Sequence, residues 1–311
     1  MGQQSFEPAL VRQSKVSQQH ENVFSSNGEF YGAIEYSTGN PEFIPIERFV
    51  LKERLGRTVY EKTDFGHTLV DVSNNGEVVG IDFDGPISGA AVLHFYDTQG
   101  QELAAQQIGF LRERRFAEKG NLYCVNDGKR GLQVFRLNGE ILHQPGPCNW
   151  FAVSSDGQYI AMTTDSEMIL LKAGLEKERI PLHSPFIRQV QFSLDGTLLG
   201  YIDNKGLYLY NTMNAKNVFE YHETENGLEL VSFDIAADNS ACIIGLSEDK
   251  GRGAPDRHER GFIYLFDMNG DLRWKEEVRF TKWNAHVPKV VFTASDIFKV
   301  TTVDDIYEYQ F

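Results

Sequence analysis

The stretch from Phe186 to Met213 alternates apolar and polar positions three times, in Arg188 to Phe192, Leu198 to Ile202 and Leu207 to Tyr210. A period of two is the pattern of a half-buried strand. Leu194-Asp195-Gly196 and Asp203-Asn204-Lys205-Gly206 interrupt it with turn residues, so three antiparallel strands joined by two tight turns are predicted. The first turn recurs along the chain as Asn27-Gly28, Asn75-Gly76, Lys119-Gly120, Asp156-Gly157 and Asp195-Gly196, then in degenerate form as Asp238-Asn239 and Ser295-Asp296. Strands entering it are expected at Val23 to Ser25, Leu69 to Ser73, Trp150 to Ser154, Gln189 to Ser193, Leu230 to Ile235 and Lys289 to Thr293. Second strands leave it at Phe30, Val78, Leu122, Tyr159, Leu198 and Ala241, and third strands follow at Val92 to Tyr96, Leu132 to Phe135, Met168 to Leu171, Leu207 to Tyr210, Phe262 to Phe266 and Ile306 to Tyr309.

A strand-turn-strand unit repeating about every 40 residues predicts a β-propeller. Seven turns give an all-β, seven-bladed propeller of four-stranded antiparallel blades, read as a single domain over residues 1–311. The seventh unit lacks a fourth strand after Tyr309, whereas Ala9 to Val16 precedes the first unit as an extra strand. The N-terminal strand is therefore expected to complete the last blade and close the ring, covering edges that would otherwise pair with other chains. Tyr36 to Glu47 and Ser247 to Gly261 lengthen the second-to-third connections of the first and sixth blades.

Over nearly its whole length the chain resembles the WD-repeat type of propeller. Gly66-His67 matches that family's Gly-His before an innermost strand, while Tyr96-Asp97, Phe266-Asp267 and, more weakly, Tyr210-Asn211 stand where Trp-Asp closes a third strand. His20, His67, His143, His183, His222 and His286 lie near connections between blades. The resemblance implies that such histidines hydrogen-bond aspartates of neighbouring turns, here Asp82, Asp127, Asp165, Asp203 and Asp305. That structural pairing is preferred to a metal site, and neither metal nor cofactor is expected.

Composition narrows the function. Thirty Lys and Arg against 44 Asp and Glu give a net charge of −14, which disfavours nucleic acid and anionic lipid as partners. No apolar run spans a membrane, so a soluble protein is expected, cytoplasmic or extracytoplasmic after loss of a signal peptide. Cys124, Cys148 and Cys242 lack metal-ligand spacing and read as buried small hydrophobes. Local catalytic motifs such as Gly-x-Ser-x-Gly or His-Glu-x-x-His do not occur.

Charge placement supplies the remaining signal. Arg112, Arg114 and Arg115 are assigned to the connection between the second and third blades, and Lys129 with Arg130 to the second-to-third turn of the third blade. The fold would bring these five to one sector, partly neutralised by Glu113, Asp127, Asp82 and Asp84. Trp283, Arg257 and His258 are further candidates for partner contact, the last two in the long sixth-blade loop. The expected function is a non-catalytic protein-binding platform using its loop face, with a protein or peptide partner offering an acidic segment. The alternative is a hydrolase or lactonase-like enzyme with its site in the central funnel.

Overall fold

The computed structural model describes residues 8–15, 22–25, 28–36, 45–84, 89–117, 119, 122–203, 206–225, 227–248, 259–280 and 288–311. Among them every regular element is a β-strand. The first strand is β1 (Ala9–Lys15), and the first sheet follows as β2 (Asn22–Phe24), β3 (Phe30–Tyr36), β4 (Ile46–Glu53) and β5 (Thr58–Thr63). The second is β6 (Leu69–Val72), β7 (Val78–Phe83), β8 (Ala91–Tyr96) and β9 (Glu102–Ile108). The third is β10 (Leu111–Ala117), β11 (Leu122–Asp127), β12 (Gly131–Arg136) and β13 (Ile141–Gly146). The fourth is β14 (Phe151–Val153), β15 (Tyr159–Thr163), β16 (Glu167–Lys172) and β17 (Leu175–Pro181). The fifth is β18 (Gln189–Phe192), β19 (Leu198–Ile202), β20 (Gly206–Asn211) and β21 (Asn217–His222). The sixth is β22 (Leu228–Ile235), β23 (Ala241–Glu248), β24 (Glu259–Asp267) and β25 (Leu272–Phe280). The seventh is β26 (Lys289–Ala294), β27 (Ile297–Thr301) and β28 (Asp305–Gln310), with β1 as its fourth strand.

Strands occur in sequence order across every sheet except the seventh, as successive hairpins require. There β1 runs antiparallel to β28 from Ala9↔Gln310 to Lys15↔Asp305, with a bulge between Leu10 and Arg12. The expected completion of the last sheet by the N-terminal strand is thus observed.

The second strands of the third to sixth sheets are buried on both faces. Tyr123, Cys124 and Val125 of β11 and Leu199, Tyr201 and Ile202 of β19 have no exposed surface, which explains why these strands read as near-continuous apolar runs. Fourth strands alternate instead, as in Leu175–Pro181, where only Ile180 is buried. By internal contacts the chain divides into two compact units, Met1–Ser17 with Thr163–Leu170 and Glu176–Phe311, and Gln18–Met162 with Leu171–Leu175. The first holds one core around Phe233, Leu209 and Ile244 and another around Phe298, Ile263 and Tyr309. The second holds cores around Phe49 and Val78 and around Phe95, Tyr123 and Phe135.

Four of the repeated turns, at Asn27-Gly28, Asn75-Gly76, Asp156-Gly157 and Asp195-Gly196, carry a serine two positions before the turn pair. Ser193 N donates to Leu198 O at 2.9 Å while Ser193 Oγ accepts from Leu198 N at 3.0 Å and donates to Asp195 Oδ1 at 2.7 Å. Ser154 repeats this with Tyr159 N at 2.9 Å and Asp156 Oδ1 at 2.7 Å. Gly196 closes its turn at φ 74°, the left-handed region that glycine enters without a Cβ penalty.

Candidate functional site

Arg112, Arg114 and Arg115 do not lie in a connection: they belong to β10, the first strand of the third sheet. Its sequence LRERRFA hides the strand, because Arg114 and Arg115 spend their charge on protein groups. Arg114 donates through Nε and Nη2 to the Asp71 carboxylate of β6 at 2.6 and 3.2 Å, a bidentate pair that joins the second and third sheets. Tyr123 Oη donates to the same carboxylate at 2.6 Å. Burial, with Asp71 beside it, pushes the Tyr123 hydroxyl well above its usual range, so it keeps the proton it donates. Arg115 donates to Glu113 Oε1 from Nε at 2.9 Å and Nη2 at 2.6 Å, and its guanidinium lies 5.9 Å from the Phe151 ring centroid.

Arg112 differs because β10 bulges against β11, where Leu111 faces Asp127 and Glu113 faces Asn126. Arg112 is the extra residue, and the bulge re-aims it to the exposed surface, 6.0 Å from the Phe110 ring centroid. Lys129 and Arg130, also exposed, lie as expected in the turn between β11 and β12. Arg130 Nη1 donates to Gln107 O at 3.1 Å, and its Nε stands 3.9 Å from Asp127 Oδ2.

Asp127 organises this sector from beneath. Its fully buried side chain accepts from Gly109 N at 2.8 Å, Phe110 N at 3.0 Å and Lys129 N at 2.9 Å, tying the β9–β10 connection to the β11–β12 turn. Burial alone would raise its pKa, but the donors Gly109, Lys129, Phe110 and Arg130 outweigh that and hold it below the usual carboxylate range. The expectation that Asp127 neutralises a solvated rim is therefore corrected: it is a buried clamp on backbone N–H groups. A Cβ at Gly128 would come within 2.7 Å of Arg112 Nε and 3.0 Å of Phe110, so glycine leaves room for these two side chains over the turn. Trp283, Arg257 and His258 lie outside the described residues.

A second cluster stands in the second sheet. His67 Nδ1 is 2.9 Å from Asp82 Oδ1, and its Nε2 is 2.6 Å from Tyr96 Oη. The Gly-His histidine pairs with Asp82 as expected, but that aspartate lies in β7 and not in a turn, with Tyr96 beyond the ring. His94, on β8, places Nε2 3.2 Å from Asp82 Oδ2 and Nδ1 3.0 Å from Glu102 Oε1. The two imidazoles lie 4.6 Å apart and share one carboxylate. Gly80 makes the arrangement possible, since a Cβ there would meet His67 Cδ2 at 2.2 Å. His94 sits inside an apolar strand, away from the connections between blades, opposite Gly80 on β7 and Ala105 on β9.

The remaining described histidines pack differently. His183 stacks on Tyr208 with centroids 4.2 Å apart, His222 meets the same ring edge-on at 5.5 Å, and His143 fills the space over Gly174. All three cysteines are buried, and burial pushes the Cys124 and Cys148 thiols up to about 12, where they are poor nucleophiles.

No family model matches the chain, and no curated protein matches it. Solved structures do. The C-terminal WD40 domain of Sif2 superposes with a TM-score of 0.62 at 10% identity, covering 97% of this chain and 83% of that one. The chain has the β-propeller fold. The β-propeller domain of Cps50 (Swd1) from Myceliophteria thermophila gives 0.61 at 8% identity over 98% and 99% of the two chains. Hsv2 from Kluyvelomyces marxianus gives 0.59 at 11% identity over 90% and 87%. At such identities the likeness is one of fold alone.

Proposed function

We propose that this propeller is a non-catalytic protein-binding platform, and that Arg112, Lys129 and Arg130 receive an acidic segment of a partner protein. One observation carries the reading: three exposed cations are gathered over a single buried carboxylate, Asp127, on a chain of net charge −14. Holding them on the β10 bulge and on a turn tied to the β9–β10 connection lowers the entropy that a partner would otherwise have to remove. The fold supports the platform role only by analogy, because propellers carry many functions. Arg114 and Arg115 are left out of the contact surface, since their carboxylate partners already occupy their donors.

Partners are to be captured from native lysate by photo-crosslinking from position 129, and their acidic segments made as peptides for binding measurements. Reversing Lys129 and Arg130 to Glu should slow association about tenfold at low salt, as expected for steering charges, while Arg136→Glu, on the other end of β12, should leave it unchanged. Equal association rates for the double reversal and the unaltered protein would remove the sector from the binding surface.

A further inference from the structure

The histidine cluster of the second sheet has a charge arrangement that hydrogen bonding alone does not satisfy well. A neutral imidazole carries one N–H and one lone pair. Both ring nitrogens of His94 face carboxylate oxygens, Asp82 Oδ2 at 3.2 Å and Glu102 Oε1 at 3.0 Å, so one contact in the neutral ring sets lone pair against lone pair. A second proton relieves this. So does a metal ion between Nε2 and Asp82.

The rest of the cluster favours the metal. His67 Nδ1, His94 Nε2 and the Asp82 carboxylate lie within 4.8 Å of one another. Tetrahedral donors at about 2.1 Å from a zinc ion stand roughly 3.4 Å apart, so the contacts of 2.9 and 3.2 Å, made to the two different oxygens of Asp82, open by a few tenths of an ångström while the set as a whole, spread within 4.8 Å, draws together. The outward nitrogen of each ring is already held. His94 Nδ1 reaches Glu102 and His67 Nε2 reaches Tyr96 Oη, the outer arrangement that fixes tautomer and ring orientation in metal-binding histidines. Tyr96 is kept protonated by burial and by the nearby Glu102 and Asp82 carboxylates, so its hydroxyl accepts from His67 and passes a hydrogen bond on to Glu102. Glu102 thus serves both outer nitrogens. Asp82 is about a third exposed and His94 a fifth, which gives an ion a path from solvent, while Phe65 and His67 form a buried wall behind it.

We propose that His67 Nδ1, His94 Nε2 and Asp82 form a binding site for a divalent transition metal ion of the zinc class. Two imidazoles and one carboxylate match such an ion in donor type, and three protein ligands leave a position for water. This site is independent of the basic sector and of the platform reading.

The full chain, stripped with chelator, is to be titrated with Zn2+ by calorimetry and with Co2+ by visible absorption. One equivalent of Zn2+ and Co2+ ligand-field bands of a four-coordinate site are expected. His94→Gln should abolish both without changing the fold, because His94 is partly exposed. Glu102→Gln keeps all three ligands and should weaken Zn2+ about 10- to 100-fold, a loss that a purely structural hydrogen bond would not produce in metal affinity. Absence of stoichiometric Zn2+ binding, or binding that persists unchanged in His94→Gln, would overturn the assignment.

Discussion

Asp127 has no exposed side-chain surface, yet it sets the position of every exposed cation in the candidate sector, through backbone N–H groups on either side. Removing it in Asp127→Ala takes the acceptor from three partly buried N–H groups and should cost about 1–3 kcal/mol, measured as a shifted denaturation midpoint. Because its folded pKa is depressed, the unfolded chain binds the proton more tightly. Its contribution is fully present above the unfolded value and is lost as pH falls through the folded one, below about pH 4. The stability difference between the parent and Asp127→Asn should therefore shrink on acidification below that point. A constant difference would mean that Asp127 is not a depressed carboxylate. In sequence this residue is one aspartate among many, since a clamp on backbone N–H groups has no side-chain partner to betray it. The turn serines were more legible. Ser25, Ser73, Ser154 and Ser193 recur at one place in the repeat, and their burial follows from the hydrogen bonds they make inside the turn.

At the level of elements, strands with two apolar faces announced themselves and the others did not. β11, β15 and β19 read as apolar runs in sequence, whereas β10 reads as a connection because its arginines satisfy carboxylates of β6 and of β10 itself. Outer strands such as β9 and β17 alternate too weakly to stand out from loops. Gly196 tests the turn assignment. With φ at 74°, a β-branched side chain is strained, so Gly196→Val should lose about 1–3 kcal/mol by chemical denaturation. β1 tests the seventh sheet. Leu10 and Val11 are 51% and 57% exposed, so β1 contributes mainly backbone pairing, and its deletion bares the edge of β28. Removing residues through Val16 should lower Tm by about 3 °C or more and promote self-association visible by size-exclusion chromatography; a chain that stays monomeric with unchanged Tm would show the pairing to be dispensable.

For the whole molecule the balance of charge decides what kind of attraction a partner can feel. A net charge of −14 repels an acidic partner at long range, so the three cations act only once it is close. Added salt then has two opposing effects. It relieves the global repulsion and screens the local attraction, and with a Debye length of about 8 Å at physiological ionic strength the local term survives longer. Association of the parent protein should accordingly depend weakly on salt, while the Lys129 and Arg130 double reversal should gain in rate as salt rises, the two converging at high ionic strength. Rates that remain apart at high salt would point to lost packing in place of lost charge.

The pairing of Ala9 with Gln310 also puts a clock on the molecule. Some 300 residues separate the two, and at ~5–20 residues per second a ribosome needs roughly 15–60 s to travel between them. Throughout that time β1 has been made and its partner has not. Its Leu10-Val11 pair is an open strand edge looking for company, followed by Arg12 and Lys15, charges of the kind that discourage the wrong one. The seventh sheet therefore depends on β1 staying single until β28 has been made.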